Sequence, residues 1–219
     1  TDSEGNTFFN VGYEFHNDST IDDVSFIRDL FVSLSEEYGL KRKQGFATGM
    51  SNGGDMSYLL ACTSADLFRA VAPVAGSLMA KTKEICNTQS PVPIFEIHGT
   101  ADQITLFDGD MENKGGWGAY YDLPSTINFF ADAYNLDKRS TKIIAKKGEG
   151  SEYDICLQRH WSQNSDDEVW MYEIVEGRHV WPGFKIHWWE NPIFWYYFGS
   201  GNEDINASEE VWRFFKRYL

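Results

Sequence analysis

The sequence predicts an α/β fold in a single domain, residues 1–219, with a mainly parallel sheet flanked by helices. Short apolar runs of strand length alternate along the chain with segments of helical period, a pattern that lays helices on the faces of a parallel sheet. With 219 residues, 42% hydrophobic and 24% charged, the chain can also bury one sizeable core. Val24, Ile27, Phe31, Leu34 and Tyr38 recur at steps of three and four, so residues 22–38 read as an amphipathic helix that Gly39 ends and that should cover one face of the sheet. Gly45-Phe46-Ala47-Thr48 reads as a buried strand, residues 52–63 as a helix and residues 70–74 as a strand. An apolar strand follows at Val92-Pro93-Ile94-Phe95-Glu96-Ile97-His98, then a helix at residues 125–134, a strand at 141–146, a strand at 169–175 and a closing helix at 207–218. No internal repeat or low-complexity linker interrupts them.

The junction of the first strand and the second helix reads Gly49-Met50-Ser51-Asn52-Gly53. A serine on so sharp a turn has its hydroxyl lifted clear of the sheet, and glycines two residues either side are expected to relieve the bend of Cβ clashes. The helix starting there aims its free amides at a developing oxyanion, the backbone N–H of Asn52 first among them.

A serine hydroxyl needs a base to take its proton and a carboxylate to orient that base. The strand ending His98-Gly99-Thr100-Ala101-Asp102 releases Asp102 into a loop at the carboxyl edge of the sheet, where ligands meet parallel sheets. The strand at 169–175 runs into Glu176-Gly177-Arg178-His179 and delivers His179 to the same edge. Ser51, Asp102 and His179 thus follow one another in the chain order Ser, Asp, His. Of the other four histidines, His16 precedes the serine, His98 lies inside a strand, His160 sits in a polar stretch, and His187 in an aromatic run is the rival base. Asp108, Asp110 and Asp122 are the rival acids.

These motifs, with Asp22-Asp23-Val24-Ser25-Phe26-Ile27, Val71-Ala72-Pro73-Val74-Ala75-Gly76 and Gly177-Arg178-His179-Val180-Trp181-Pro182-Gly183, resemble the α/β-hydrolase esterases that include polyhydroxybutyrate depolymerases and feruloyl esterases. The resemblance runs from about residue 20 to the C-terminus and implies an α/β-hydrolase fold, with Ser51 as nucleophile, Asp102 as acid and His179 as base. Members of that family begin with further strands and a His-Gly loop that gives a second oxyanion donor, and nothing before residue 20 matches them. The fold expected is therefore one that lacks the usual N-terminal strands, either because the chain is a piece of a longer protein or because it builds the second donor elsewhere. The family is often exported, which favours a secreted or periplasmic protein, and a Cys62–Cys86 bridge fits an oxidising compartment.

The formal net charge of −14 argues against nucleic acid and anionic membranes as partners. No apolar run reaches the ~20 residues of a membrane span. Three cysteines show no zinc-site spacing, the alternate acids Asp108, Asp110 and Glu112 lack the remainder of a calcium loop, and no metal or cofactor is implied. Aromatic residues crowd positions 181–198, and Trp181, Trp188 and Trp189 are the rings expected to touch substrate. The function expected is a serine carboxylesterase acting on short-chain esters through an acyl-enzyme, with feruloyl esters or a polyester as narrower alternatives. A truncated, non-catalytic module that binds ligand through its tryptophans is the alternative of another class.

Overall fold

The computed structural model of the chain describes residues 5–185, 192, 198, 199 and 201–219. Its main sheet has six strands, β1 (Gly45–Met50), β2 (Phe68–Val74), β3 (Ile94–Gly99), β4 (Lys138–Ala145), β5 (Ile155–Trp161) and β6 (Glu168–Ile174), in the order β1-β2-β3-β6-β5-β4. β1, β2, β3 and β6 are parallel, whereas β5 is antiparallel to both β6 and β4. β5 is an addition to the sequence reading: the stretch taken there as polar, with His160 in it, is a strand paired on both sides. β4 forms the outer edge and carries Lys138, Arg139 and Lys142, charges that discourage a further strand from pairing there. Phe184–Lys185 (β7) and Gly201–Asn202 (β8) make a separate two-stranded ribbon.

Helices α1 (Asp23–Tyr38), α2 (Asn52–Thr63), α3 (Ala80–Glu84), α4 (Leu123–Ala133) and α5 (Ala207–Phe215) flank these strands, a 3₁₀ turn at Glu14–His16 precedes them, and α5 passes into a second 3₁₀ turn at Lys216–Tyr218. Side chains alternate across each strand, so the sheet divides the core in two. On one face Val71, Ile94, Val169 and Met171 pack with Leu59 and Leu60 of α2 and Ile127 and Phe130 of α4. On the other, Ala72, Val74, Phe95, Ile97 and Tyr172 pack with Val211, Phe214 and Phe215 of α5. Each large ring fully buried here contributes ~2–3 kcal/mol. The same alternation puts Glu96 and His98 of β3 on the α2 face, where both are almost wholly buried.

Helix α1 is capped as its sequence predicts. The Asp22 carboxylate accepts from the Ser25 amide at 2.9 Å, and Gly39 takes the left-handed conformation with φ 67°. It does not cover a sheet face along its length. Val24, Ile27 and Phe31 pack on the core, but Leu34 and Tyr38 are 39% and 66% exposed. The helix meets the sheet at the opposite edge strand, β1: a Cβ on Gly45 would stand 2.8 Å from the Phe31 ring, and the later turns run beyond that contact. A disulfide joins Cys62 in α2 to Cys86 just after α3, and Cys156 is free.

Candidate active site

Ser51 sits between β1 and α2 with φ 57° and ψ −121°, a strained conformation for a residue with a side chain. Its amide donates to the Val74 carbonyl at 2.9 Å, which ties the turn to β2. The bend depends on glycine at Gly49, where a Cβ would lie 2.8 Å from the backbone of Gly53. Gly53 itself faces open space, so the expectation that it relieves a clash is corrected. The second close approach is one residue on, where a Cβ on Gly54 would meet the backbone of Gly76 at 2.8 Å.

Asp102 and His179 meet over 77 residues of sequence, with Asp102 Oδ2 2.7 Å from His179 Nδ1. Their loops are zipped together at the ends of β3 and β6: Ala101 N donates to Gly177 O at 2.8 Å, Thr100 N to Ile174 O at 2.9 Å and Glu176 N to Thr100 Oγ1 at 2.9 Å. Asp102 Oδ1 accepts from the amides of Ile104 and Thr105 at 2.8 and 2.9 Å. Burial pushes the Asp102 carboxyl up, but hydrogen bonds from His179 and His98 outweigh it and hold it at about 2. Among the described residues Ser51 Oγ has no hydrogen bond to His179. In unliganded hydrolases that bond is commonly long and shortens with substrate in place.

Two of the three rival acids, Asp110 and Asp122, are engaged elsewhere. The Asp110 carboxylate accepts from the amides of Lys114 and Gly115, and that of Asp122 caps α4 through Ser125. His16 is stacked on Tyr13, and His160 is buried in β5. His187, Trp188 and Trp189 lie outside the described residues. The Trp181 Nε1 donates to Ser208 Oγ at 3.1 Å and its ring packs in part against the α5 core, where Pro182 and Gly183 bond to Ala207 and Asn202.

Ser51 opens on a cavity of about 30 Å³. Phe8, Met79, Ile104, Trp117 and Tyr120 wall it, over a polar floor of Tyr13, Asp55 and Ser77. Asp55 accepts from the Tyr13 hydroxyl at 2.5 Å and from the Ser77 amide at 2.6 Å, and burial, opposed by those bonds, raises its carboxyl to about 6. The Asn52 side chain reaches past the serine and holds the backbone of Phe9, accepting from its amide at 2.7 Å and donating to its carbonyl at 3.0 Å. As the first residue of α2, Asn52 keeps a backbone amide that no turn of the helix uses. Phe8, Tyr13 and Trp117 were not found from the sequence. They lie in loops with no period, and the aromatic contacts among them, such as Tyr13 to Trp117 at 5.4 Å, connect residues a hundred positions apart.

The buried charges behind the site have a consequence for stability. Burial lowers His98, but its hydrogen bonds to Asp102 and Glu96 prevail and raise it to about 10. Its contribution is therefore complete below the unfolded value of ~6.5 and fades as pH rises through about 10. Glu96, raised to about 7 chiefly by burial, loses stability in the same direction. Asp102 acts oppositely, its contribution complete above ~3.9 and lost as pH falls through about 2. The melting temperature should fall as pH rises, through Glu96 from ~4.3 up to about pH 7 and through His98 from ~6.5 up to about pH 10, and His98→Gln should flatten the upper part of that fall while leaving the acid arm in place. An alkaline arm of unchanged slope in that variant would contradict the assignment.

No family model matches the chain. Feruloyl esterase D of Neurospora crassa is 34% identical over 204 residues, which cover 90% of this chain and 56% of that protein. Feruloyl esterase C of Emericella nidulans is 35% identical over 90 residues, 41% of this chain and 32% of that protein. The chain thus spans about half or less of the length of these curated relatives. An acetyl xylan esterase from Aspergillus awamori shares the fold, with a TM-score of 0.51 at 16% identity over 81% of this chain and 67% of that one. The chain is thus similar in sequence to feruloyl esterases and in fold to an acetyl xylan esterase.

Proposed function

We propose that the chain is a serine carboxylesterase of α/β-hydrolase fold, working through Ser51, His179 and Asp102. The Asp102–His179 contact carries this reading, because it joins two distant loops at the sheet edge to which the strained Ser51 also belongs. With Nδ1 bound by Asp102, the imidazole keeps Nε2 for the serine proton. Ser51 Oγ attacks the ester carbonyl, His179 takes its proton, and the Asn52 amide faces the oxyanion. His179 then protonates the leaving alcohol and activates the water that cleaves the acyl-enzyme.

The cavity at Ser51 favours short acyl groups, since about 30 Å³ holds little more than a water or a methyl group. The names of the relatives favour feruloyl esters as the second reading. A fluorophosphonate should label Ser51 stoichiometrically, and kcat/KM should be higher for an acetyl than for a feruloyl ester of the same alcohol. No labelling would support the binding module instead, and a preference for the feruloyl ester would overturn the short-acyl assignment.

A further inference from the structure

Behind the proposed triad lies a buried polar chain that the mechanism above does not use. His98 Nδ1 stands 3.0 Å from Glu96 Oε1, and His98 Nε2 stands 2.9 Å from the Thr105 carbonyl and 3.4 Å from Asp102 Oδ2. Each ring nitrogen therefore meets an oxygen, and a backbone carbonyl can only accept. A neutral imidazole carries one N–H, so once Nε2–H is given to the Thr105 carbonyl, Nδ1 meets Glu96 either by donating as a doubly protonated ring or by accepting from a protonated carboxyl, and the Tyr58 hydroxyl and Gly76 amide that donate to Glu96 favour the carboxylate. We propose that His98 is a buried imidazolium that acts as a positioning residue, holding Asp102 ionised and aimed at His179.

The surroundings are built for that charge. Glu96 is the counter-ion, and its second oxygen accepts from the Tyr58 hydroxyl of α2 at 2.9 Å while the Gly76 amide approaches the first at 3.3 Å. Phe107 stands edge-on to the His98 ring at 6.1 Å, and beyond Tyr58 on the same helix lies Asp55. On the neighbouring strand Glu173 lies level with His98, and its carboxylate is taken by Gln158 Nε2 at 3.0 Å. Asp102 thus accepts from two backbone amides through Oδ1 and faces two histidines through Oδ2, which leaves it no room for a proton of its own. The raised proton affinity of His98 agrees with this geometry.

This inference rests on the triad reading, and two measurements separate them. In ¹⁵N-labelled protein both His98 ring nitrogens should carry protons at pH 8. A single protonated nitrogen would overturn the proposal whatever the activity shows. His98→Gln should lower kcat roughly tenfold or more, with KM nearly unchanged. It should also move the acid limb of the kcat/KM profile to higher pH by at least about half a unit. The sign follows from charge: without the cation, Asp102 holds the His179 proton more tightly. Glu96→Gln keeps a hydrogen-bonding group beside Nδ1 but removes the counter-ion and with it the His98 proton, so it should shift the limb in the same direction by a smaller amount. Lower melting temperatures with wild-type pH profiles in both variants would reduce His98 to a packing residue. Full activity in Ser51→Ala would instead sink the esterase reading, with the ring-proton count still deciding the state of His98.

Discussion

Ser51→Ala and His179→Ala will each lower kcat by about 10⁴- to 10⁶-fold, and the double variant will lose little more. The reason is that nucleophile and base share one proton transfer: once either is gone, the other has nothing to do, and what remains comes from binding and the oxyanion donors. Neither change should harm the fold. Ser51 has no side-chain cap bond to lose, and alanine keeps its Cβ, so the φ of 57° costs no more than before. His179→Ala leaves the Asp102 carboxylate with its two amide donors and His98. Steady-state kinetics on purified variants, with melting curves as the control, decides the matter. Losses that multiply in the double variant would mean that the two residues do not act in a common step.

Gly99→Ala should be the most damaging change that touches no reacting group. A Cβ there would stand 2.3 Å from the carbonyl carbon and oxygen of Gly177 and 2.9 Å from the amide nitrogen of Arg178. All three are backbone atoms, so no side chain can swing away, and the loop carrying His179 must move relative to the loop carrying Asp102. Overpacking of this kind costs ~1–3 kcal/mol or more. A displacement of about 1 Å between catalytic groups costs on the order of 10²-fold in rate. Gly53→Ala is the matched control, since its Cβ would meet open space in a helix that alanine favours. That variant should stay folded and active. A Gly99→Ala protein with native melting temperature and rate would show that the two loops are not held by this contact.

Much of the fold was readable because burial imposes a period. Helix α2 begins and ends as read, α1 starts at the Asp22 cap and stops at Gly39, and β2, β3 and β6 stand out as apolar runs because both their faces are covered. The serine turn was readable for a different reason: its glycine, serine and helix start are consecutive, so one short segment encodes the whole bend. β5 was not readable, since Ile-Cys-Leu-Gln-Arg-His-Trp carries a polar run at its centre and becomes a strand through antiparallel partners on both sides. The exposed second half of α1 was likewise invisible, because an apolar stripe does not say where the sheet ends.

The serine turn, the predicted strand ends, the chain order and the family resemblance nominated Ser51, Asp102 and His179, but they could not place the second and third side by side. Only the parallel pairing of β3 with β6, and the absence of a side chain at Gly99, brings loops 77 residues apart to a 2.7 Å contact. The cavity walls and the buried Glu96–His98 pair were decided by tertiary structure as well. Phe8, Tyr13 and Trp117 converge from loops without periodicity, and a histidine inside an apolar strand looks like a packing residue until the groups facing both its nitrogens are known. Local sequence records which face of an element is buried. What that face meets depends on neighbours distant in the chain, and the chemistry of this site depends on those meetings.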